Sequence, residues 1–375
     1  MIREVHAFPL RAPLSESYGW ARGKASVREA LLVQLIADDG TEGWGECAGP
    51  PSVLAPTITE FFGPLLLGQD PLATDPLWDR LWQAALPHGR RGVLIGALSG
   101  IDMALWDLKG KLLGQSVSAL LGGKTRERIP CYTTGLYFRE GPESERIHQM
   151  LTEARRAIEG GARALLVQVG RSLAADAALA RALRKEFPDV PFAAEAHGSY
   201  DVPEAAIICR ALAEQGFTAL TDPLATEPVT AWSRLAAQTP LALSAGRYEQ
   251  TRWAFEALLA TQAIGTFQVN PAWCGGLSEA QKIRIVASAH GVNVVPRSMG
   301  TQLNLAASLH FLASDIRHPG RVELRPPLLE TDSLDDPFRV AFTERIELED
   351  GLATVPSTPG LGVAVSVALL EKFTP

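Results

Sequence analysis

With 375 residues, 46% of them hydrophobic and 21% charged, the chain can bury a sizeable core and exceeds one average domain, so it needs no disulfide or metal to hold together. A net charge of −7, with no Lys/Arg stripe interleaved with aromatics, argues against a nucleic-acid partner. No run of about 18 uncharged apolar residues argues for a membrane span, and Met1 is followed by Arg3 and Glu4 rather than a signal-peptide pattern, so a cytoplasmic protein is expected.

The run "ALLVQLIADDGTEGWGEC" (30–47) reads as two strands joined by a turn at Asp39-Gly40. Helical patterns follow at 53–67 and 74–86, and "GVLIGALSGIDMALWDLKGKLLG" (92–114) is an apolar helix stopped by Gly110 or Gly114. From about residue 126 short apolar runs alternate with amphipathic stretches. Strands are expected at 130–137, 163–169, 191–196, 217–221, 240–245, 264–270, 292–296 and 320–324, with helices such as 143–159, 173–187, 203–215 and 277–290 between them. Eight such strands fit a closed parallel barrel better than an open sheet. From 331 onward, "IELEDGLATVPSTPGLGV" returns to short strands and turns. The expected divisions are an α+β capping domain (1–125), a barrel (126–330) and a tail (331–375) packing back on the capping domain. Cys47, Cys131, Cys209 and Cys274 are scattered without a C-x-x-C pair, which fits reduced thiols.

Four motifs in order, "DDGTEGWGE", "SGIDMALWDLKGKLLG…LLGG", "CGGLSEAQKI" and "VVPRSMGTQLNLAASLH", resemble the mandelate racemase/muconate lactonizing group of the enolase superfamily, in particular its sugar-acid branch of galactarolactone cycloisomerases. The resemblance runs from about residue 1 to 370. It implies a modified TIM barrel, (β/α)7β, with an N-terminal α+β capping domain completed by the C-terminal tail. It also implies removal of a proton alpha to a carboxylate. The enediolate would be stabilised by Mg²⁺ on three carboxylates at the ends of strands 3, 4 and 5, with bases on strands 2 and 7.

Those positions hold other residues here. Leu166 and Gln168 occupy the strand 2 lysine positions, and neither side chain titrates near neutrality. The three metal positions hold Glu195, Thr221 and Arg247, of which a guanidinium repels a cation. Asp222 follows Thr221 but is expected on the opposite face, and Glu249 sits two residues along a loop. Asn270 replaces the strand 6 Asp and Arg297 the strand 7 His. Glu195 and His197, alternate residues, are expected to face the site together. Glu323 matches a carboxylic acid that hydrogen-bonds substrate in mandelate racemase.

The metal site is therefore expected to be vestigial and no cofactor is expected, although Mg²⁺ serves the family. The first reading is a homologue without Mg²⁺-dependent proton abstraction that binds a small sugar acid or carboxylate. The second is a metal-independent isomerase or lyase acting on a sugar acid or lactone, with Glu195, His197 and Arg297 as acid–base groups and Arg247 and Arg297 as electrophilic clamps. Substrate contacts are expected from Arg247, Arg297, Glu323 and the covering segment 15–24 through Tyr18, Trp20 and Arg22. Arg247 and Arg297 either converge on a ligand carboxylate, or Arg247 pairs with Glu195 and closes the pocket. The resemblance also implies a homo-oligomer, a dimer or an octamer. Trp78 and Trp82 read as packing, and Lys109 and Lys111 as helix-end residues.

Overall fold

The computed structural model describes residues 1–315, 328–334 and 336–374. Three antiparallel strands open the chain: β1 (Ile2–Trp20), β2 (Gly23–Ala37) and β3 (Glu42–Cys47), in that order across the sheet. The expected hairpin is β2–β3, paired from Leu31↔Cys47 to Ile36↔Glu42, and Gly40 adopts φ 84 in its turn. Pro9 and Pro13 hide β1 in the sequence, because a proline argues against a strand. Both sit on an edge strand, where a missing N–H is tolerated.

The helix Val93–Leu113 is apolar nearly all round because β3 covers one side and the barrel helix Gly276–Ala289 another. It ends at Gly114, the left-handed residue at φ 65. The strand approaches closely through glycine: a Cβ on Gly45 would lie 2.0 Å from the Gly100 carbonyl oxygen. Two buried carboxylates lock this domain onto the barrel by capping barrel helices from outside. Asp102 accepts from the Ser278 backbone N–H (2.9 Å) and hydroxyl (2.6 Å). Glu46 accepts from the Thr301 hydroxyl (2.7 Å) and the Asn304 backbone N–H (3.1 Å).

The barrel strands are β4 (Arg128–Thr134), β5 (Leu165–Gln168), β6 (Phe192–Glu195), β7 (Ala219–Thr221), β8 (Ala242–Ala245), β9 (Thr266–Val269), β10 (Asn293–Pro296) and β11 (Leu329–Asp332). Ladders run in parallel from β4 through β10, and β11 pairs in parallel with β4 to bring the ends together. This is a TIM-barrel-like α/β fold with an N-terminal capping domain. The strand expected at 320–324, and Glu323 with it, lies outside the described residues. The last described barrel strand is β11, so the expected boundary at 330 falls inside a strand. The tail stitches the two parts: its hairpin Leu348–Thr354 extends β4 through Leu352↔Pro130, and the Leu361 N–H donates to Asp107 of the capping helix.

One hydrophobic core fills the space between barrel strands and their helices, and a second lies between the capping sheet and its helices. All four cysteines are buried and free. Among the described residues no helix is long and apolar enough to cross a membrane.

Candidate functional site

Strand register turns Tyr132, Thr134, Gln168, Glu195, Thr221, Ser244, Gln268 and Glu330 to one face. That face is inward, since Glu195 on β6 meets Arg297 after β10 across the barrel. Barrel interiors are ordinarily packed with branched apolar side chains, so a polar layer at the C-terminal strand ends marks a site.

Glu195 is its centre. The buried carboxylate accepts from Arg247 Nη1 at Oε1 (2.7 Å) and from Arg297 Nη2 (3.2 Å) and Gln168 Nε2 (3.3 Å) at Oε2. Burial alone raises its pKa, but the Arg247 and Arg297 guanidinium groups outweigh that and hold it well below the usual carboxylate range. Arg297 Nη2 also lies 2.9 Å from Glu330 Oε1. Glu330 in turn accepts from the Ser298 (2.7 Å) and Met299 (3.2 Å) backbone N–H groups. Burial pushes the Glu330 carboxyl up, with Arg297 opposing. Of the two arrangements open for Arg247, the structure shows the pairing with Glu195.

His197 joins the cluster by a different route from strand alternation. β6 ends at Glu195, and His197 adopts φ 53. Its Nε2 lies 2.6 Å from Gln168 Oε1 and its Nδ1 2.9 Å from the Tyr248 hydroxyl. Gln168 presents its NH₂ to Glu195, so its oxygen faces the ring and can only accept. This assigns the proton to Nε2, and Nδ1 accepts from Tyr248. Burial pushes the His197 pKa down to about 4, and Arg247 and Arg297 act in the same direction against Glu195, so the ring is neutral at pH 7.

Asp222 also leaves strand alternation, at φ 43, so the argument that placed it on the opposite face does not apply to it. It is buried within electrostatic reach of Glu195, Arg247 and Arg297. Burial first, then Glu195, pushes its pKa up to about 7. Glu249 pairs with Arg91 at 3.6 Å instead of reaching the centre. Asn270 caps a local turn, its Oδ1 accepting from the Ala272 N–H (2.9 Å) and Asn304 Nδ2 (3.2 Å). Leu166 and Thr221 are buried at the strand ends.

The segment 15–24, expected as a loop, is the end of β1, a turn and the start of β2, and it lies beside the strand-end cluster. Gly19 and Phe138 exchange backbone hydrogen bonds of 2.8 Å, the Tyr18 ring lies 4.4 Å from Tyr137, and Trp20 lies 6.3 Å from His197. Arg22 donates to the Gly198 carbonyl. Tyr132, Tyr248, Gln268 and Glu330 were not anticipated. The inward alternation of "PCYTT" and "LLETD" carries Tyr132 and Glu330, and Tyr248 directly follows Arg247. Trp78 stacks on Trp82 (5.7 Å), and Lys111 bonds Asp107 (2.7 Å), both as structural residues.

Residues 149–368 match the family described as enolase C-terminal domain-like, and residues 3–122 match the mandelate racemase/muconate lactonizing enzyme N-terminal domain. The chain is 36% identical to a D-galactarolactone cycloisomerase of Agrobacterium fabrum, over 92% of this chain and 91% of that one. It is 29% identical to an arabinonate dehydratase of Saccharolobus solfataricus, over 92% and 90%. The crystal structure of the 3,6-anhydro-D-galactonate cycloisomerase from Zobellia galactanivorans superposes with a TM-score of 0.89 at 30% identity, covering 100% of this chain and 99% of that one.

The expectation of no cofactor is corrected by another neighbour. A racemase from Streptomyces coelicolor A3(2), at TM-score 0.89 and 23% identity over 100% of both chains, was solved with bound magnesium. A chain of this same fold therefore holds magnesium. At the three strand-end positions Glu195 is the one carboxylate, and Arg247, Arg297 and Gln168 occupy it. This donor set does not fit a divalent cation unless Arg247 withdraws. From its domain matches, its 36% identity to a cycloisomerase and its strand-end architecture, the chain belongs to the mandelate racemase/muconate lactonizing enzyme group of the enolase superfamily, a relative of cycloisomerases and sugar-acid dehydratases.

Proposed function

We propose that the barrel mouth binds a small sugar acid or its lactone, and that this chain does not abstract the alpha proton with the strand-end bases of its relatives. One observation carries the reading: the base positions present Leu166, Gln168 and Arg297, and the last two are committed to Glu195. The ligand class is supported by the names of the relatives, which include a galactarolactone cycloisomerase and an arabinonate dehydratase.

A second reading is favoured by the Tyr248–His197 contact, in which the half-exposed Tyr248 donates its hydroxyl proton toward Nδ1. Such a pair is an acid–base device in form. A ring whose pKa is about 4 is a weak acceptor at pH 7, however, and this ranks the binding reading first. Saturation-transfer NMR and calorimetry with aldonates, aldarates and their lactones, with magnesium and with EDTA, test the proposal. Saturable binding that weakens in Arg247→Ala supports it. No binding across the panel in either condition overturns it.

A further inference from the structure

The hydrogen bonds around His197 run in one direction, and Glu195 sets it. Two guanidinium groups hold the Glu195 carboxyl ionised, so its oxygens only accept: Oε1 from Arg247 (2.7 Å) and Oε2 from Arg297 (3.2 Å). The Gln168 amide lies 3.3 Å from Oε2 and has to turn its NH₂ toward it, since the reversed amide would set a carbonyl oxygen against a carboxylate. The amide oxygen then faces His197 Nε2 at 2.6 Å and fixes the ring proton there. Glu195 Oε2, itself 3.6 Å from Nε2, favours the same placement. On the neutral ring Nδ1 keeps its lone pair, so the Tyr248 hydroxyl, 2.9 Å away, points its single proton inward.

Tyr248 is the open end of this chain. It is 49% exposed, whereas Gln168, Glu195, His197 and Arg297 behind it are all buried. Its place is fixed on other sides as well: Trp273 Nε1 donates to its backbone carbonyl (3.3 Å), and the Arg247 guanidinium lies 5.8 Å from its ring. A phenol has one proton and two lone-pair sites, so once the proton is committed to His197 the hydroxyl can only accept from anything else.

We infer that Gln168 is a positioning residue that makes Tyr248 a hydrogen-bond acceptor toward the barrel mouth, and that Tyr248 thereby selects a ligand presenting a donor at that point over one presenting a group that only accepts. The neighbouring guanidinium repels a cationic donor, which leaves a hydroxyl as the fitting group. The inference rests on the proposed binding role of the mouth and names a residue that reads the ligand, together with the direction in which it does so.

Two measurements test it. The ring nitrogens of His197 are read by ¹⁵N NMR at neutral pH in the ligand-free wild type and in Gln168→Lys, whose ammonium group only donates. The proton is expected on Nε2 in the wild type and on Nδ1 in Gln168→Lys. A proton on Nδ1 in the wild type, or one that stays on Nε2 in the folded variant, overturns the inference. D-galactonate and its mono-deoxyfluoro analogues, whose fluorine cannot donate, are then titrated by saturation-transfer NMR against the wild type and Tyr248→Phe. One analogue is expected to bind the wild type about five-fold more weakly than D-galactonate, and that difference is expected to vanish in Tyr248→Phe. Relative affinities that are the same in both proteins overturn the inference and leave the proposed function standing. Absence of D-galactonate binding overturns the inference too, and the proposed function falls with it only when the other acids and lactones also fail to bind.

Discussion

Replacing Arg297 with Met keeps the length of the side chain and removes its charge. The Arg297 side chain is 3% exposed, and its carboxylate partners Glu195 and Glu330 are exposed by 0% and 1%. Removing one member of a buried ion pair costs about 3–5 kcal/mol, because the partner stays buried and charged. Both partners keep other donors here: Arg247 and Gln168 for Glu195, and the Ser298 and Met299 N–H groups for Glu330. The lower end of that range, about 3 kcal/mol at pH 7, is therefore expected. Part of the loss should disappear in acid, where the already raised Glu330 carboxyl takes up a proton. Combining the change with Glu330→Gln should recover about 2 kcal/mol, a coupling typical of residues in contact. Urea unfolding of the wild type, both single variants and the double variant measures all three quantities. A loss below about 1 kcal/mol, or strict additivity, would refute the idea that Arg297 neutralises two buried carboxylates.

Three further outcomes are expected. His197 should remain neutral with its proton on Nε2 from pH 8 down to about 5.5 in ¹⁵N NMR of histidine-labelled protein, its signals assigned with His197→Asn; a midpoint near 6.5 would contradict the burial argument. Because the folded pKa of about 4 lies below the ordinary 6.5, the unfolded chain binds the extra proton between those values. Stability is then lost as pH falls through that window, by about 3 kcal/mol from this group, and His197→Asn should flatten that slope in acid-unfolding curves. Gly45→Ala should destabilise by more than about 3 kcal/mol in thermal or urea unfolding, since the added Cβ meets the Gly100 carbonyl and the Ala104 N–H at 2.0 and 2.7 Å; a near-neutral effect would mean that the sheet can move off the helix.

The fold was legible where periodicity is strong. The β2–β3 hairpin, the helix Val93–Leu113 and seven barrel strands fall within a few residues of their expected places, because alternation and capping signals are local. β1 was hidden by Pro9 and Pro13, whose tolerance depends on an edge position that only the finished sheet reveals. The site was half legible. Glu195, His197, Arg247 and Arg297 were found because strand ends carry function in a barrel, but their pairings are tertiary facts. Glu330 changed the electrostatics most: counting Glu195 against two arginines leaves a positive mouth, and adding Glu330 neutralises it. His197 and Asp222 both lie just past a strand end where φ turns positive, so alternation was the wrong argument for either, although His197 does join Glu195.

The central claim is that the mouth holds a sugar acid or lactone without the relatives' alpha-proton chemistry. Its most direct test is ¹H NMR of the wild-type protein with D-galactarate, D-galactonate and their lactones in D₂O, magnesium supplied throughout, with binding confirmed in the same tubes. The account predicts saturable binding and no alpha-deuterium incorporation beyond the enzyme-free rate, consistent with Leu166, Gln168 and Arg297 at the base positions. Exchange above that rate, abolished in His197→Asn or Glu195→Gln, would contradict it and establish a working acid–base site built from those residues.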